Sequence, residues 1–468
     1  MKIEQLYTGC LAEAAYYIES KGEAAIIDPL RDVDPYIEMA EKNGAKIKYI
    51  FETHFHADFV SGHLDLAKKT GAKIVYGPTA QPEFDAYVAK DEEIFEIGNI
   101  RIKTLHTPGH TMESTTFLLL DENGKEHSIY TGDTLFIGDV GRPDLAVKTD
   151  LTREDLAGHL YESLQNKILP LPDHVIVYPG HGAGSACGKK MSSETFDTLG
   201  NQKLFNYALN PSLTKKEFVD AVTDGLVAPP QYFPKNAVMN KTGYSSLDDI
   251  KMTGEKMLSL EEFDKAVEEG AMILDTRGNT EFPKGFIPGS TFIGIDDNFA
   301  PWVGALIEDL NIPIVLIADE GREDEVVVRL SRVGYDNPVG FLKGGIETWK
   351  QAGREVDTID EISPVDFART AKEKDVNLLD VRKVSEYESQ HAEGAIQFPL
   401  DFINGSLDEL DRDEKYYIHC AGGYRSVIAS SILRKNGFSN LVNIKGGFNE
   451  LLKTELPFTE FEEASTDL

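Results

Sequence analysis

Metal-ligating side chains stand at the ends of four separate apolar segments of this 468-residue chain, and few folds can satisfy all of them. Ile47–Phe51 reads as a strand and runs into Thr53-His54-Phe55-His56-Ala57-Asp58-Phe59, with two histidines one residue apart and an aspartate two further on. Ile100–Leu105 alternates as a half-buried strand should and leads into Thr107-Pro108-Gly109-His110-Thr111. Ser128–Asp133 ends in an acid, and Val175–His181 ends in a histidine. Pro and Gly precede His110 and His181, so the chain turns there and aims each side chain into a common cleft. Strand ends and the loops beyond them are where a metal site can stay open to substrate. His54, His56, Asp58, His110, Asp133 and His181 therefore predict a metal site.

The surrounding sequence alternates strands and helices. Ala24–Ile27 ends a strand at Asp28-Pro29, Val33–Lys42 has helical spacing, Leu64–Lys69 is closed by Gly71, and Lys73–Tyr76 reads as a strand. Residues 195–250 read as helical, then irregular, with Pro229–Pro234 as a turn-rich arm or linker whose aromatics argue against free disorder.

Beyond residue 255 the sequence repeats. Leu274-Asp275-Thr276-Arg277 returns as Leu379-Asp380-Val381-Arg382, and Lys343-Gly344-Gly345 returns as Lys445-Gly446-Gly447. Two copies of one α/β domain follow, each a parallel sheet with crossover helices. Leu258–Glu269 opens the first copy and Pro364–Glu373 the second, with the link near Gly353–Glu361. Asp275/Arg277 and Asp380/Arg382 read as buried structural pairs.

The copies differ at one chemical position. The second has an apolar strand running into His419-Cys420-Ala421-Gly422-Gly423-Tyr424-Arg425-Ser426, then a helix over Val427–Lys435. A cysteine in a Gly-rich loop at a helix start meets exposed amides that stabilise negative charge, and Arg425 adds a cation. That is the environment of a nucleophilic thiolate or a bound persulfide. The first copy has Asp319-Glu320-Gly321-Arg322-Glu323 instead; it cannot do cysteine chemistry and reads as a structural or docking module.

The net charge of −32 disfavours nucleic acid and anionic membranes as partners. No apolar run approaches the ~20 residues that span a bilayer, and Met1–Gln5 carries no signal-peptide pattern. Three cysteines make no disulfide framework, so a cytoplasmic setting is expected.

Residues 1–245 resemble the metallo-β-lactamase superfamily through HFHAD, TPGHT, TGD and YPGH in that order, and within it are most similar to the persulfide dioxygenase branch. Residues 255–355 and 360–460 both resemble rhodanese (sulfurtransferase) domains, through the Lys-Gly-Gly turn and, in the second only, the Cys-x-x-Gly-x-Arg loop. The resemblance implies an αββα sandwich followed by two α/β rhodanese domains, the first inactive. It implies one non-haem Fe(II) per chain, held by His54, His110 and Asp133. Two histidines and a carboxylate with open positions form the triad of iron oxygenases. Two-zinc hydrolases of the superfamily read HxHxDH; here the last position is Phe59, so His56, Asp58 and His181 fall around the site rather than on the iron.

The same resemblance makes Arg142 the contact for an anionic thiol substrate, and makes Gly422 and Gly423 part of the Cys420 cradle. Gly182–Gly188 lacks the tyrosine with which the family binds glutathione, so glutathione, coenzyme A, bacillithiol or another small thiol stay open as carrier. Cys187, in that Gly-rich loop, is a candidate persulfide relay or redox sensor. The expected activity is oxidation of a thiol persulfide by O2 to sulfite, with Cys420 and Arg425 passing sulfane sulfur to sulfite as thiosulfate. The rivals are a zinc thioester hydrolase of glyoxalase II type and a non-oxidative sulfur carrier. Homo-oligomerisation is a further expectation, since a module without its cysteine could serve packing.

Overall fold

The computed structural model describes residues 1–146 and 151–462. The chain forms two compact units, the first over Met1–Leu247 with Ser331–Gly334, the second over Asp248–Leu330 and from Tyr335 onward. No helix among the described residues is long and apolar enough to cross a membrane.

Twelve strands of the first unit make two six-stranded sheets. One holds β1 (Lys2–Thr8), β2 (Glu13–Ser20), β3 (Glu23–Ile27), β4 (Lys46–Glu52), β5 (Lys73–Tyr76) and β6 (Tyr87–Val88), in that order. The other holds β7 (Ile94–Ile97), β8 (Ile100–His106), β9 (Thr115–Leu120), β10 (Glu126–Gly132), β11 (Ile176–Pro179) and β12 (Asp197–Thr198). Alternation decides the layers. Tyr16, Ile18, Ile27 and Phe51 from the first sheet meet Ile97, Ile102, Phe117 and Tyr130 from the second, forming the inner core. The opposite face of the first sheet buries Ile26, Ile50 and Ile74 against Tyr36, Ala40 and Leu66 of its helices. The outer face of the second buries Ile129 and Val177 against Ala157 and Leu160 of the helix Arg153–Ser163 and against Phe218. The result is the expected αββα sandwich. β8 and β10 each pair antiparallel to β9, and β10 runs parallel to β11, so the C-terminal ends of β8, β10 and β11 share one edge.

The second unit contains two five-stranded sheets. The first has β13 (Met257–Leu258), β14 (Met272–Asp275), β15 (Thr291–Phe292), β16 (Ile314–Ile317) and β17 (Pro338–Leu342) in the order β13-β17-β16-β14-β15. The second has β18 (Asp360–Ile362), β19 (Asn377–Asp380), β20 (Ile396–Gln397), β21 (Tyr416–His419) and β22 (Leu441–Ile444) in the order β18-β22-β21-β19-β20. The same order in both sheets, with parallel pairs throughout, is the structural form of the sequence repeat. In each copy the Asp–Arg pair closes the end of the second strand. Arg382 Nη2 lies 2.6 Å from Asp380 Oδ2, donates to Gln390 O at 2.8 Å, and its guanidinium stacks 3.6 Å over the Phe448 ring. Arg277 repeats this on Asp275 and Gly285 O. Breaking such a buried pair strands a desolvated charge. Asp380→Asn is expected to cost about 3–5 kcal/mol in urea unfolding of the second unit.

The C-terminal arm of the first domain is helical, as expected: after a turn at Pro229–Tyr232 it carries the helices Phe233–Thr242 and Leu247–Gly254, with Pro234 in the first turn, where its missing N–H costs nothing. Tyr232 and Phe233 are buried, which accounts for the aromatics. The helix beyond Cys420 begins at Tyr424, three residues earlier than the sequence suggested, because Gly423 takes a left-handed φ of +103° and turns the loop directly into the helix.

Candidate metal centre and cysteine loop

At the strand-end edge of the first unit the expected donors converge. Single ligand atoms of His54, His110 and Asp133 lie within 4.8 Å of one another, as do those of His56, Asp58 and His181, and those of Asp133, His181 and Cys187. Three of the rings are anchored from behind. His54 Nδ1 is 3.0 Å from Thr53 Oγ1, His110 Nδ1 is 2.8 Å from Arg142 O, and His181 Nδ1 is 3.3 Å from Ala12 O. Each Nε2 is thereby turned inward: that of His110 lies 3.4 Å and that of His54 4.0 Å from Asp133 Oδ2, and that of His181 lies 3.5 Å from Asp133 Oδ1. An Nδ1–H donated to a backbone carbonyl fixes the tautomer that leaves Nε2 free to ligate. Gly132 makes this convergence possible. With φ of +48° it passes so close to Thr53 that a Cβ there would sit 2.4 Å from Thr53 Oγ1.

The electrostatics suit a cation. Both Asp133 carboxylate oxygens are buried without a hydrogen-bond partner, and so are His181 Nε2 and Asp58 Oδ1. An orphaned carboxylate out of water is costly unless a positive charge sits beside it. His54 titrates well below the ordinary imidazole range, chiefly through burial and then through the His56, His110 and His181 charges. It is thus neutral and carries a lone pair.

His56 stands apart. Its Nε2 is 3.1 Å from Asp28 Oδ1 and 3.6 Å from Glu52 Oε2, and its ring packs tilted by 33° against Phe59 with centroids 4.3 Å apart. Burial opposes its protonation, but Asp28, Glu52 and Asp58 outweigh it and raise His56 to about 10.

Several residues that build this site escaped the sequence reading. Asp28 accepts from both Thr53 N and Thr53 Oγ1 at 2.8 Å, and Glu52 accepts from Ser61 Oγ and pairs with His63 Nδ1. Asp28 did carry the signal used elsewhere, an acid at a strand end before a turn. Asn240, on the helix Phe233–Thr242, donates to His56 O and Phe59 O and accepts from Ser61 N, so the arm pins the ligand loop. No local sequence signal marks it.

Arg142 does not face open space. Nε and Nη2 hold Asp144, Nη1 donates to Ala186 O, Nη2 also donates to Val227 O, and the residue is buried. A role in contacting substrate would require it to release one of these partners; what it does here is tie the wall of the site together and offer its carbonyl to His110. Nor is Cys187 in a loose loop. It is buried, its N–H meets Ser185 Oγ and its carbonyl accepts from Arg142 N. Burial first, then the Asp58 and Asp133 carboxylates, push its thiol well above the ordinary range, so it is not a ready thiolate.

In the second unit Cys420 directly follows β21 and is 1% exposed. Gly423 N donates to Sγ at 3.1 Å, and Ser426 Oγ lies 3.7 Å from it. The Gly446-Gly447 turn locks the loop from behind: Phe448 N donates to Cys420 O and Asn449 N to Ala421 O. Gly447 cannot be replaced cheaply, since a Cβ there would meet Cys420 O at 2.3 Å at a φ of +58°. Gly422 is exposed at the rim. Arg425 forms a two-pronged bridge to Glu386 at 2.6 and 2.9 Å, so its charge is shared rather than free for the sulfur. In the first copy the corresponding loop holds acids, and Arg322 pairs with Asp296 and Glu325.

An αββα sandwich with clustered His and Asp donors at one edge, followed by two parallel α/β domains, defines a metal-binding enzyme fold joined to a tandem repeat. The metallo-beta-lactamase superfamily matches residues 8–181, and the rhodanese-like domain matches 259–352 and 363–454. A probable hydroxyacylglutathione hydrolase of Schizosaccharomyces pombe is 34% identical over 181 residues, 38% of this chain and 66% of the relative. A second from the same organism is 32% identical over 197 residues, 42% of this chain and 72% of the relative. A solved structure described as a metallo-beta-lactamase from Staphylococcus aureus is 31% identical with a TM-score of 0.64, covering 73% of this chain and 98% of its own. The chain belongs to the metallo-beta-lactamase superfamily and carries two rhodanese-like domains.

Proposed function

We propose that the first unit, residues 1–245, is a mononuclear Fe(II) persulfide dioxygenase and that the module over 360–460 is a sulfurtransferase using Cys420, while the module over 255–355 has lost that chemistry. The observation that carries the first part is Phe59. It is fully buried against His56 at the position where two-zinc hydrolases of the superfamily read histidine. What remains for direct ligation is His54, His110 and Asp133, the two-histidine, one-carboxylate set suited to ferrous iron. A ferrous ion held there would supply oxygen activation and a coordination position for a terminal sulfur.

The protein groups would do the rest. Thr53 and the Arg142 carbonyl hold the two ligand rings in orientation. His56, Asp58 and His181 would stand beside a ferrous ion held there, with His56 tied to Asp28. The overall change is R–S–SH with O2 and water giving R–SH, sulfite and two protons. Sulfite then attacks the outer sulfur of a Cys420 persulfide; the S–S bond breaks, thiosulfate forms and Cys420 leaves as thiolate. Joining the two activities in one chain raises the local concentration of sulfite near the second site. Cys187, beside Asp133 and His181, would relay sulfur once the substrate or a bound metal takes its thiol proton.

Iron-loaded protein given a small-thiol persulfide is expected to consume oxygen and release sulfite and thiosulfate; no oxygen uptake overturns the dioxygenase reading. A thioester hydrolase is the second reading. It is favoured by the hydrolase names of the similar curated proteins and by the second donor group, His56, Asp58 and His181. Metal content separates them. The wild-type chain is expected to bind one metal ion, and Phe59→His, which restores a ligand, is expected to raise this to two by elemental analysis. Two ions in the wild type favour the hydrolase.

A further inference from the structure

Tyr424 opens the helix that follows the Cys420 loop, but its hydroxyl reaches into the other rhodanese-like copy. It donates to Gly294 O at 2.7 Å, in the segment directly after β15 of the module without a cysteine. The ring stands edge-on to Phe292, with centroids 6.1 Å apart. Gly294 leaves just enough room for it: a Cβ there would lie 3.2 Å from Tyr424 Cε2 and 2.9 Å from Phe292 Cζ. The contact continues down the helix. Ser431 Oγ accepts from Phe292 N at 3.0 Å in a buried position, and Lys435 Nζ donates to Thr291 Oγ1 at 3.3 Å. The edge of one module thus lies along the helix whose first turn cradles the sulfur of the other.

Gly423 links this contact to the chemistry. It precedes Tyr424 and aims its N–H at Cys420 Sγ. The loop is held on three sides. Glu386 fixes Arg425, the Gly446-Gly447 turn fixes the carbonyls of Cys420 and Ala421, and Gly294 fixes Tyr424. Glycines at 422 and 423 give the loop itself little stiffness, so its orientation depends on these outside anchors.

We infer that Tyr424 is a positioning residue for Cys420, and that the module lacking a cysteine is part of the sulfur-transfer site because its Gly294 carbonyl sets the angle at which the Gly423 amide meets Sγ. This rests on the sulfurtransferase reading of Cys420. In that reaction the Cys420 thiolate attacks the outer sulfur of thiosulfate, the S–S bond breaks, and sulfite leaves with the electron pair. Cyanide then attacks the outer sulfur of the resulting persulfide, giving thiocyanate and returning the Cys420 thiolate. Charge passes on and off Sγ in both steps, so a correctly aimed amide acts on the rate of transfer more than on donor capture.

The test uses the full chain in a thiosulfate–cyanide assay. Tyr424→Phe keeps the ring and removes the anchor; Gly294→Ala disturbs the same contact from the other module. In both, kcat is expected to fall about tenfold while KM for thiosulfate moves less than about twofold. Alkylation of Cys420 by iodoacetamide, followed by peptide mass spectrometry, should slow in parallel. An unchanged kcat in both variants, or a loss matched by the fraction of unfolded protein in a urea melt, overturns the inference. A wild-type chain inactive in this assay overturns the sulfurtransferase reading instead.

Discussion

Asp133→Asn is expected to abolish iron retention and oxygen uptake together, each by at least about 100-fold, while thiosulfate–cyanide activity in the same chain is unchanged. The physical basis is the position of the carboxylate. Its two oxygens are buried, lack hydrogen-bond partners, and face His54, His110 and His181. An asparagine of the same shape removes the charge that a divalent cation needs. It also relieves the cost of burying that charge in the metal-free protein. The metal-free variant should therefore melt no lower than metal-free wild type, whereas the iron-loaded wild type should melt higher than either because bound ligand stabilises the folded state. Retained oxygen uptake in this variant would remove Asp133 from the metal centre. Elemental analysis, an oxygen electrode and thermal unfolding supply the three readings.

The second large effect concerns the other unit. Cys420→Ser is expected to eliminate sulfur transfer, by about 10³-fold or more, and to shift the products of persulfide oxidation from thiosulfate toward sulfite at an undiminished rate of oxygen uptake. Serine fits the same cradle of Gly423 N–H and Ser426 Oγ but cannot carry a persulfide. A sulfite-to-thiosulfate ratio identical to wild type would exclude Cys420 from the pathway. The absence of a cysteine in the Asp319–Glu323 loop leaves no substitute nucleophile in the other copy.

The two substitutions probe opposite ends of one sequence and separate the units cleanly. Loss of both activities in either variant would point to a folding defect rather than to chemistry. That distinction is sharpened by Asp380→Asn, whose effect should be confined to the stability of the second unit.

Much of this protein is written locally. Alternation of apolar residues placed the strands, and an acid or histidine at the end of four of them marked the donors. Gly132 and Gly447 sit where a Cβ would collide with Thr53 and with the Cys420 carbonyl, Gly423 takes a left-handed backbone, and each lies inside a recognisable motif. The Asp–Arg pairs repeat at fixed spacing because each is a contact between residues two apart. Such features depend on a few neighbouring residues, so the sequence alone determined the layering, the repeat, the donor types and the cysteine loop.

Tertiary structure decided what each donor has for company. His56 looks like His54 in sequence, yet Asp28, from the end of another strand, claims its Nε2 together with Glu52 at the end of its own. Arg142 reads as a free cation, yet Asp144 and the carbonyls of Ala186 and Val227 occupy its guanidinium. Arg425 is bridged to Glu386, 39 residues away, and Tyr424 to Gly294, 130 away. Asn240 pins a loop 184 residues before it. Hydrogen bonds and ion pairs act over a few ångströms of space with no regard for separation along the chain. The roles of these charged and polar groups therefore emerged only once the packed fold had chosen their partners.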